Sequence, residues 1–572
     1  MLNAIKKNIL NYRSNPSWKK KDQWILVGVG IVLQIVTIYY SQVRYEADAA
    51  GYYEVGLEYF EKGWSSFSNY RPHAFSLLLL FSGTYISQNF IGIIFFHSLM
   101  GVLVPVLVYR MLIPCSRFVA LFGAGTLCLS FMPYTAATLI LAEQLFMTAV
   151  VATYYFFSRY YHTNLSRYAY WSVAMGLLAM FTRWEGQMIL VSVLMGIGWM
   201  VFRSNPKYEI HKNKRWVSFG ISLGIAVFVI GTCSFLRAFT VGDLSQFGKL
   251  QGGSAFQFIW RFTGNISMSK PNWDNIFKSW RFSFYTPDPQ VKNLLSPFHG
   301  PVSNEIYNRI LLAIKESPPE KNGAEQPYNE KETHLSREQI YYNCYGKFSE
   351  SPEKLAQILF DPQTQNDHYP FYIAHLVNKI YGDKADSKVF QWMLENFRAH
   401  PWIYAQLIND CLGFLGLGFL NENSLFYLLG PDVGLYQWFR LEFNMGRYAE
   451  VTLPPKHFQW LKNAYTRVEL MGSSGETFHE ITSTFRNWTR AILGPFVIFS
   501  FWSLFFVRGG SFFVFMILGL VADVMVVGSL GGGLNTRYEY ATLPLIIVLA
   551  SGCGFAFLQL VKKFVIRIKT LD

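Results

Sequence analysis

The chain alternates long apolar stretches with short polar ones. Apolar runs cover residues 23–41, 90–110, 118–135, 139–158, 168–182, 187–203 and 217–236, and after a long polar interval three more follow at 491–507, 511–529 and 541–561. Each is close to the ~17–25 residues that an α-helix needs to cross the hydrocarbon core of a bilayer. The pattern predicts a mainly α, polytopic transmembrane helical protein with about ten spans. A further apolar piece, His73–Ile86, is too short to span comfortably and reads as an interfacial or re-entrant helix. Gly, Pro105, Pro133 and Pro495 fall inside the runs, which membrane helices tolerate.

This order divides the chain into three parts. Residues 1–236 form an N-terminal transmembrane domain with a first outer loop at 42–89. Residues 237–490 form a large extracytoplasmic domain between spans seven and eight, and residues 491–572 carry the C-terminal transmembrane helices. Within the outer domain, Glu316–Glu338 is charged and proline-bearing and reads as a loop. Residues 386–420 carry helical periodicity; Ile403–Leu420 is apolar and either packs on the membrane face or forms a re-entrant pair.

Charge fixes the orientation. Residues 1–22 hold six Lys/Arg against one acid, Asp22. The loops on the same side carry Arg110 and Arg117, then Arg159 and Arg167, then Arg203, Lys207, Lys212, Lys214 and Arg215, then Arg508, and finally Lys562, Lys563, Arg567 and Lys569. The alternate loops are mixed, acidic or nearly uncharged. By the positive-inside rule both termini are cytoplasmic. Composition agrees: 51% of residues are hydrophobic and 15% charged, against roughly 25% charged in soluble chains, and mean hydropathy is +0.19. The net charge of +13 is carried largely by these inner loops, so it marks topology and membrane lipids rather than a nucleic-acid partner. The six cysteines are scattered singly, with no CxxC and no His/Cys cluster, so no zinc site is indicated; a Cys344–Cys411 disulfide in the outer domain is left open.

The candidate chemistry lies at the outer rim. The first outer loop opens with Tyr45–Gly63, YEADAAGYYEVGLEYFEKG, just beyond the first span. Asp48 and Tyr52 share one helical face, and Glu54 and Glu58 another. Glu143 sits at the outer end of the fourth span, Arg183 and Glu185 just beyond the fifth, and Arg71-Pro72 before the short helix. Asp523 lies near the outer end of the ninth span, and Arg537, Tyr538 and Glu539 near the tenth. Ionisable groups in or beside a membrane are costly and mostly serve function or pair with one another. Their concentration on the outer side predicts a polar cavity opening outward. The plainer readings stay beside this one. Asp48 is a good helix cap, Glu143 and Arg183 suit a structural ion pair, and Asp523 caps its helix or pairs with Arg537. Glu54, Glu58 and Glu61 form the wet face of an amphipathic helix. His73 and His97 have no partner at metal-ligand spacing.

Together these motifs resemble the integral-membrane glycosyltransferases of the family-C (GT-C) fold, such as the protein O-mannosyltransferases and the lipid A aminoarabinose transferase. The elements are D-x-x-x-Y (Asp48, Tyr52), R-P (Arg71, Pro72), L-x-E-x-L-F (Glu143), T-R-x-E (Arg183, Glu185), Phe235-Leu-Arg-Ala-Phe followed by Phe247-Gly, Ala399-His-Pro-Trp-Ile-Tyr404, and Arg537-Tyr538 followed by Pro544. The resemblance covers most of residues 24–250 and 385–560 and omits Gly252–Gly382. It implies a sugar donor carried on a polyprenyl phosphate or pyrophosphate, and an aspartate base in the first outer loop, here Asp48, with Glu46 as its rival. Tyr52, Arg71, Glu143, Arg183, Glu185, Arg537 and Tyr538 are then the candidate substrate-binding residues, and the tyrosines would stack on sugar rings.

The chemistry is consistent with that implication. Sugar transfer needs a carboxylate to accept the proton of the attacking hydroxyl and cations to hold the leaving phosphate, for which arginine suits. One base and a direct displacement invert the anomeric centre, without the carboxylate pair of glycosidases. The expectation is a hexosyl- or pentosyltransferase acting on a glycan, lipid or protein acceptor. No cofactor is expected, and a divalent cation is not obligatory. An outward-facing site and the lack of an ER-retention signal point to a bacterial inner membrane. The alternatives are a polymerase or ligase using a lipid-linked glycan, a transporter or flippase, and a non-catalytic scaffold. Transporters place charges near the midplane and show repeat symmetry, neither of which is seen.

Overall fold

The computed structural model describes residues 16–41, 43–45, 47–63, 72–183, 185–202, 212–241, 269–271, 285–287, 300–316, 376–377, 379–399, 453–469, 473–506, 510–530 and 539–569. Arg71, Arg537, Tyr538, Glu46, Cys344, Cys411, residues 317–338 of the Glu316–Glu338 segment and residues 403–420 lie outside these, as do the side chains of Asp48 and Asp523. The described residues are mainly helical, with one short antiparallel ribbon, Ser269–Pro271 with Tyr285–Pro287.

A helix lies on each of the ten apolar runs. In chain order the elements are α1 (Pro16–Tyr40), α2 (Ala47–Lys62), α3 (His73–Phe81), α4 (Thr84–Ser87), α5 (Ile91–Leu112), α6 (Arg117–Leu129), α7 (Met132–Thr135), α8 (Glu143–Thr163), α9 (Ser166–Thr182), α10 (Gly186–Phe202) and α11 (Lys212–Val241). They continue with α12 (Pro301–Glu316), α13 (Ala385–Ala399), α14 (Pro455–Glu469), α15 (Ser473–Ser500), α16 (Gly510–Leu530) and α17 (Glu539–Lys569). Among the described residues, four helices are long and apolar enough to cross a membrane by themselves: Lys19–Tyr40, Ile91–Leu112, Asn213–Leu236 and Leu543–Ile566. A fifth span arises if α6 and the following turn, bent by 46°, are counted as one. Large apolar side chains stand exposed on α1, α5 and α11, including Trp24 and Phe228. A surface of that kind belongs in lipid.

The boundaries depart from the hydropathy pattern in two places that matter. The run 118–135 is not one helix: it breaks at Phe131, whose φ of 54° is left-handed, before Pro133 starts a new turn. The run 139–158 starts late. Leu139–Ala142 is not helical, and α8 begins at Glu143. These four residues are 0–3% exposed. They are apolar because protein covers them, and hydropathy cannot tell that from lipid. The short apolar piece also divides, into α3 and α4, at Gly83 with φ 74°.

Helix α8 is the hub. It packs against α5, α9, α10, α16 and α17, so the C-terminal helices complete a core begun by the N-terminal ones. Hydroxyl pairs fasten it, Tyr154–Ser192 at 2.8 Å and Tyr161–Ser511 at 2.7 Å, as expected where no hydrophobic force drives helices together. Near the start of α1, Asp22 is buried. It accepts from Tyr109 Oη at 2.7 Å and from Arg117 at 2.9 and 2.7 Å, joining α1, α5 and α6. The single acid of the basic N-terminus is thus a clamp. Between α11 and α14, Glu395 of α13 caps α12 by accepting from the amides of Val302 and Ser303. Helix α15 runs without a break through residue 490 into the apolar stretch Ile492–Phe506.

Candidate active site

The segment 132–143 connects α6 to α8, and the candidate residues gather around it. Just before α2, Arg44 forms a parallel bridge with Leu139: its amide donates to Thr138 O at 3.0 Å, and its carbonyl accepts from Ile140 at 2.9 Å. This pins the start of α2 to the connector. Asp48 is the second residue of α2, four beyond Arg44, and therefore within about 14 Å of the connector along the chain.

Helix α2 is amphipathic. Glu54, Phe60, Glu61 and Lys62 are exposed and Glu58 is half-buried. Tyr45, Tyr52, Tyr53 and Tyr59 are all buried. Tyr52 packs edge-on to Phe75 with centroids 5.2 Å apart, and its carbonyl accepts from Ser76 Oγ at 2.9 Å. Tyr59 Oη meets His73 Nδ1 at 2.6 Å. The tyrosines fasten α2 to α3 and α4, so their rings are taken up by packing.

Glu143, Arg183 and Glu185 come together. Arg183 Nη1 lies 2.8 Å from Glu143 Oε1, and Nη2 lies 2.9 Å from Glu185 Oε1. The carboxylates are 3% and 1% exposed and the guanidinium 15%. The guanidinium also sits 5.8 Å from the Phe146 ring centroid. Glu143 is the first residue of α8, where the positive end of the helix dipole favours a carboxylate. The turn that presents Arg183 is tight: Gly186 N donates to Arg183 O at 3.0 Å, and a side chain on Gly186 would collide with the backbone of Ala179 and Met180. Two carboxyl groups on one guanidinium leave Arg183 little positive field for a phosphate.

Three residues went unremarked in the sequence. Arg44 was hidden as one charge among many in the first loop. Arg486, on α15, donates to Thr135 Oγ1 at 3.3 Å and is buried; its signal is a lone arginine opposite an apolar stripe. His457, on α14, carried no local signal. It is buried against Tyr53 and Phe90, and Phe90 in turn packs on Trp460. Its Nε2 meets Thr84 O at 3.0 Å, and its Nδ1 faces Tyr53 Oη at 3.5 Å. A carbonyl only accepts, so Nε2 carries the proton and Nδ1 accepts from the tyrosine. His457 thus locks α14 onto α2 and α4. Burial pushes its pKa below the ordinary histidine value of 6.5, partly opposed by the Thr84 carbonyl. The folded state then binds fewer protons than the unfolded one. The stability from this lock is complete above pH 6.5 and is lost as pH falls below it. The protection of α14 amides, corrected for the intrinsic pH dependence of exchange, is expected to fall between pH 7 and pH 5, and His457→Gln should flatten that dependence.

The fold and site define a helical membrane protein with a charged cluster at the ends of its apolar helices. Residues 71–231 match the model of the dolichyl-phosphate-mannose-protein mannosyltransferase family. The matched segment runs from Arg71 through α3–α10 into α11 and contains Glu143, Arg183 and Glu185, which supports the resemblance to the family-C glycosyltransferases. No curated protein and no solved structure matches the chain significantly.

Proposed function

We propose that the chain is a membrane glycosyltransferase that moves a sugar from a polyprenyl-phosphate donor to an acceptor hydroxyl on the extracytoplasmic side. One juxtaposition carries the reading. The bridge between Arg44 and Leu139 holds the start of α2, and with it the backbone of Asp48, beside the connector that leads into Glu143 and Arg183. The family match over 71–231 gives that cluster a chemical context.

In this account the acceptor oxygen attacks the anomeric carbon while the Asp48 carboxylate takes its proton. The carbon–oxygen bond to the phosphate breaks, the electron pair leaves with the polyprenyl phosphate, and the configuration inverts. Glu143, Arg183 and Glu185 form a rigid wall that shapes the sugar site, and Tyr52 supports α2 from behind. Arg71, Arg537 and Tyr538 complete the donor pocket. The polyprenyl tail lies against the apolar helices, which is why the chemistry belongs at the bilayer surface. Ten spans, cytoplasmic termini and a bacterial inner membrane complete the proposal, following the distribution of Lys and Arg.

The test uses proteoliposomes loaded with a polyprenyl-phosphate sugar labelled in the sugar, with a crude envelope extract as acceptor. A transferase moves the label from the lipid to the acceptor. Label that changes leaflet but stays on the lipid would mean a carrier instead.

A further inference from the structure

Arg486 lies far beyond the matched segment, which assigns it nothing. It is 7% exposed, and its recorded partner is the hydroxyl of Thr135. A guanidinium stays charged at any physiological pH, and a hydroxyl does not neutralise it. Among the described residues no carboxylate forms an ion pair with Arg486. A buried charge without a counter-charge is costly.

Its place on α15 indicates where an anion would come from. Ile481, Phe485, Trp488, Ile492, Phe496 and Phe499 form an exposed apolar stripe at helical spacing, while Thr482, Arg486 and Thr489 are buried on the other side. The apolar stretch starts at Ile492, about 9 Å along the helix axis from Arg486. The guanidinium therefore sits at head-group depth, on a helix whose outer face meets lipid. Its partner Thr135 belongs to the connector that Arg44 bridges and that leads to Glu143. Arg183, which is partly exposed, is engaged by two carboxylates.

We infer that Arg486 holds the phosphate of the lipid donor and of the lipid product, an inference that rests on the glycosyltransferase reading. The planar fork of arginine matches two phosphate oxygens, and Thr135 orients the guanidinium from behind. The phosphate supplies the counter-charge that the described chain does not.

The probe is farnesyl phosphate, compared with farnesol, inorganic phosphate and phosphatidylglycerol, on wild type, Arg486→Met and Arg486→Lys in phosphatidylcholine nanodiscs. Wild type should prefer farnesyl phosphate over farnesol. Arg486→Met should lose that preference by about 10- to 100-fold while binding farnesol as before, and Arg486→Lys should recover part of it. Without ligand, Arg486→Met should melt no lower than wild type, because it removes a charge and not a pair. Retention of the phosphate preference by Arg486→Met overturns the inference, as does a large fall in its melting temperature without ligand. Equal competition by inorganic phosphate or phosphatidylglycerol overturns the donor assignment in favour of a general anion contact. If wild type itself shows no preference for farnesyl phosphate, the glycosyltransferase reading falls as well.

Discussion

Asp48→Asn is expected to lower sugar transfer by about 10²- to 10⁴-fold, the range that a positioned general base contributes. Asparagine keeps the size and shape of the side chain but cannot take a proton. The structural alternative predicts a different outcome. Helix α2 begins at Ala47, so Asp48 is its second residue, and a carboxylate there gains about 0.3–1 kcal/mol from the helix dipole. If that were its only role, Asp48→Asn would shift thermal stability slightly and leave turnover near wild type. Turnover and melting temperature measured on the same preparation separate the two. The same pair of measurements on Glu46→Gln decides between the neighbouring acids.

Arg183→Met is expected to destabilise the protein by about 3–5 kcal/mol, the cost of leaving buried charges without their partner. Glu143 and Glu185, both almost fully buried, would lose the guanidinium they share. The contact with the Phe146 ring would go too, at about 0.5–1 kcal/mol. Denaturant unfolding in detergent measures the loss. The triple variant Arg183→Met, Glu143→Gln, Glu185→Gln should recover much of it, because it removes the whole charge cluster. A loss below about 1 kcal/mol would mean that water screens the cluster as it screens surface ion pairs.

The sequence made the helices legible and their joints obscure. Ten apolar runs each became helix, because nearly continuous apolar residues bounded by charge have few other solutions. Leu139–Ala142 looked like the start of a span because apolar residues covered by protein and by lipid read alike. The turn at Phe131 depends on a left-handed residue that no local rule requires. Glu143, Arg183 and Glu185 could be read in advance, since charges on an apolar background stand out, and their convergence follows from α8 and α9 packing together. The His457–Thr84 contact spans 373 residues and could not be. Pairing at that separation is decided by the whole fold, and a histidine after Pro-Pro-Lys looks like any other. Arg486 was concealed differently. It lies before the apolar run begins, where an arginine reads as a surface residue until the helix shows which face is buried. The buried tyrosines of α2 illustrate the reverse case: aromatic residues near a sugar site suggested stacking, but their hydroxyls and rings are used to hold the helix.

The most direct test of the account is the identity of the donor. Wild-type protein in nanodiscs would be given a panel of polyprenyl-phosphate sugars and, separately, the matching nucleotide sugars, with the envelope extract as acceptor and with free polyprenyl phosphate and transferred sugar both measured. The account predicts release of polyprenyl phosphate in step with sugar transfer, and no turnover of the nucleotide sugars. Consumption of a nucleotide sugar, or a lipid-linked sugar that binds and is recovered unchanged across the panel, would contradict it.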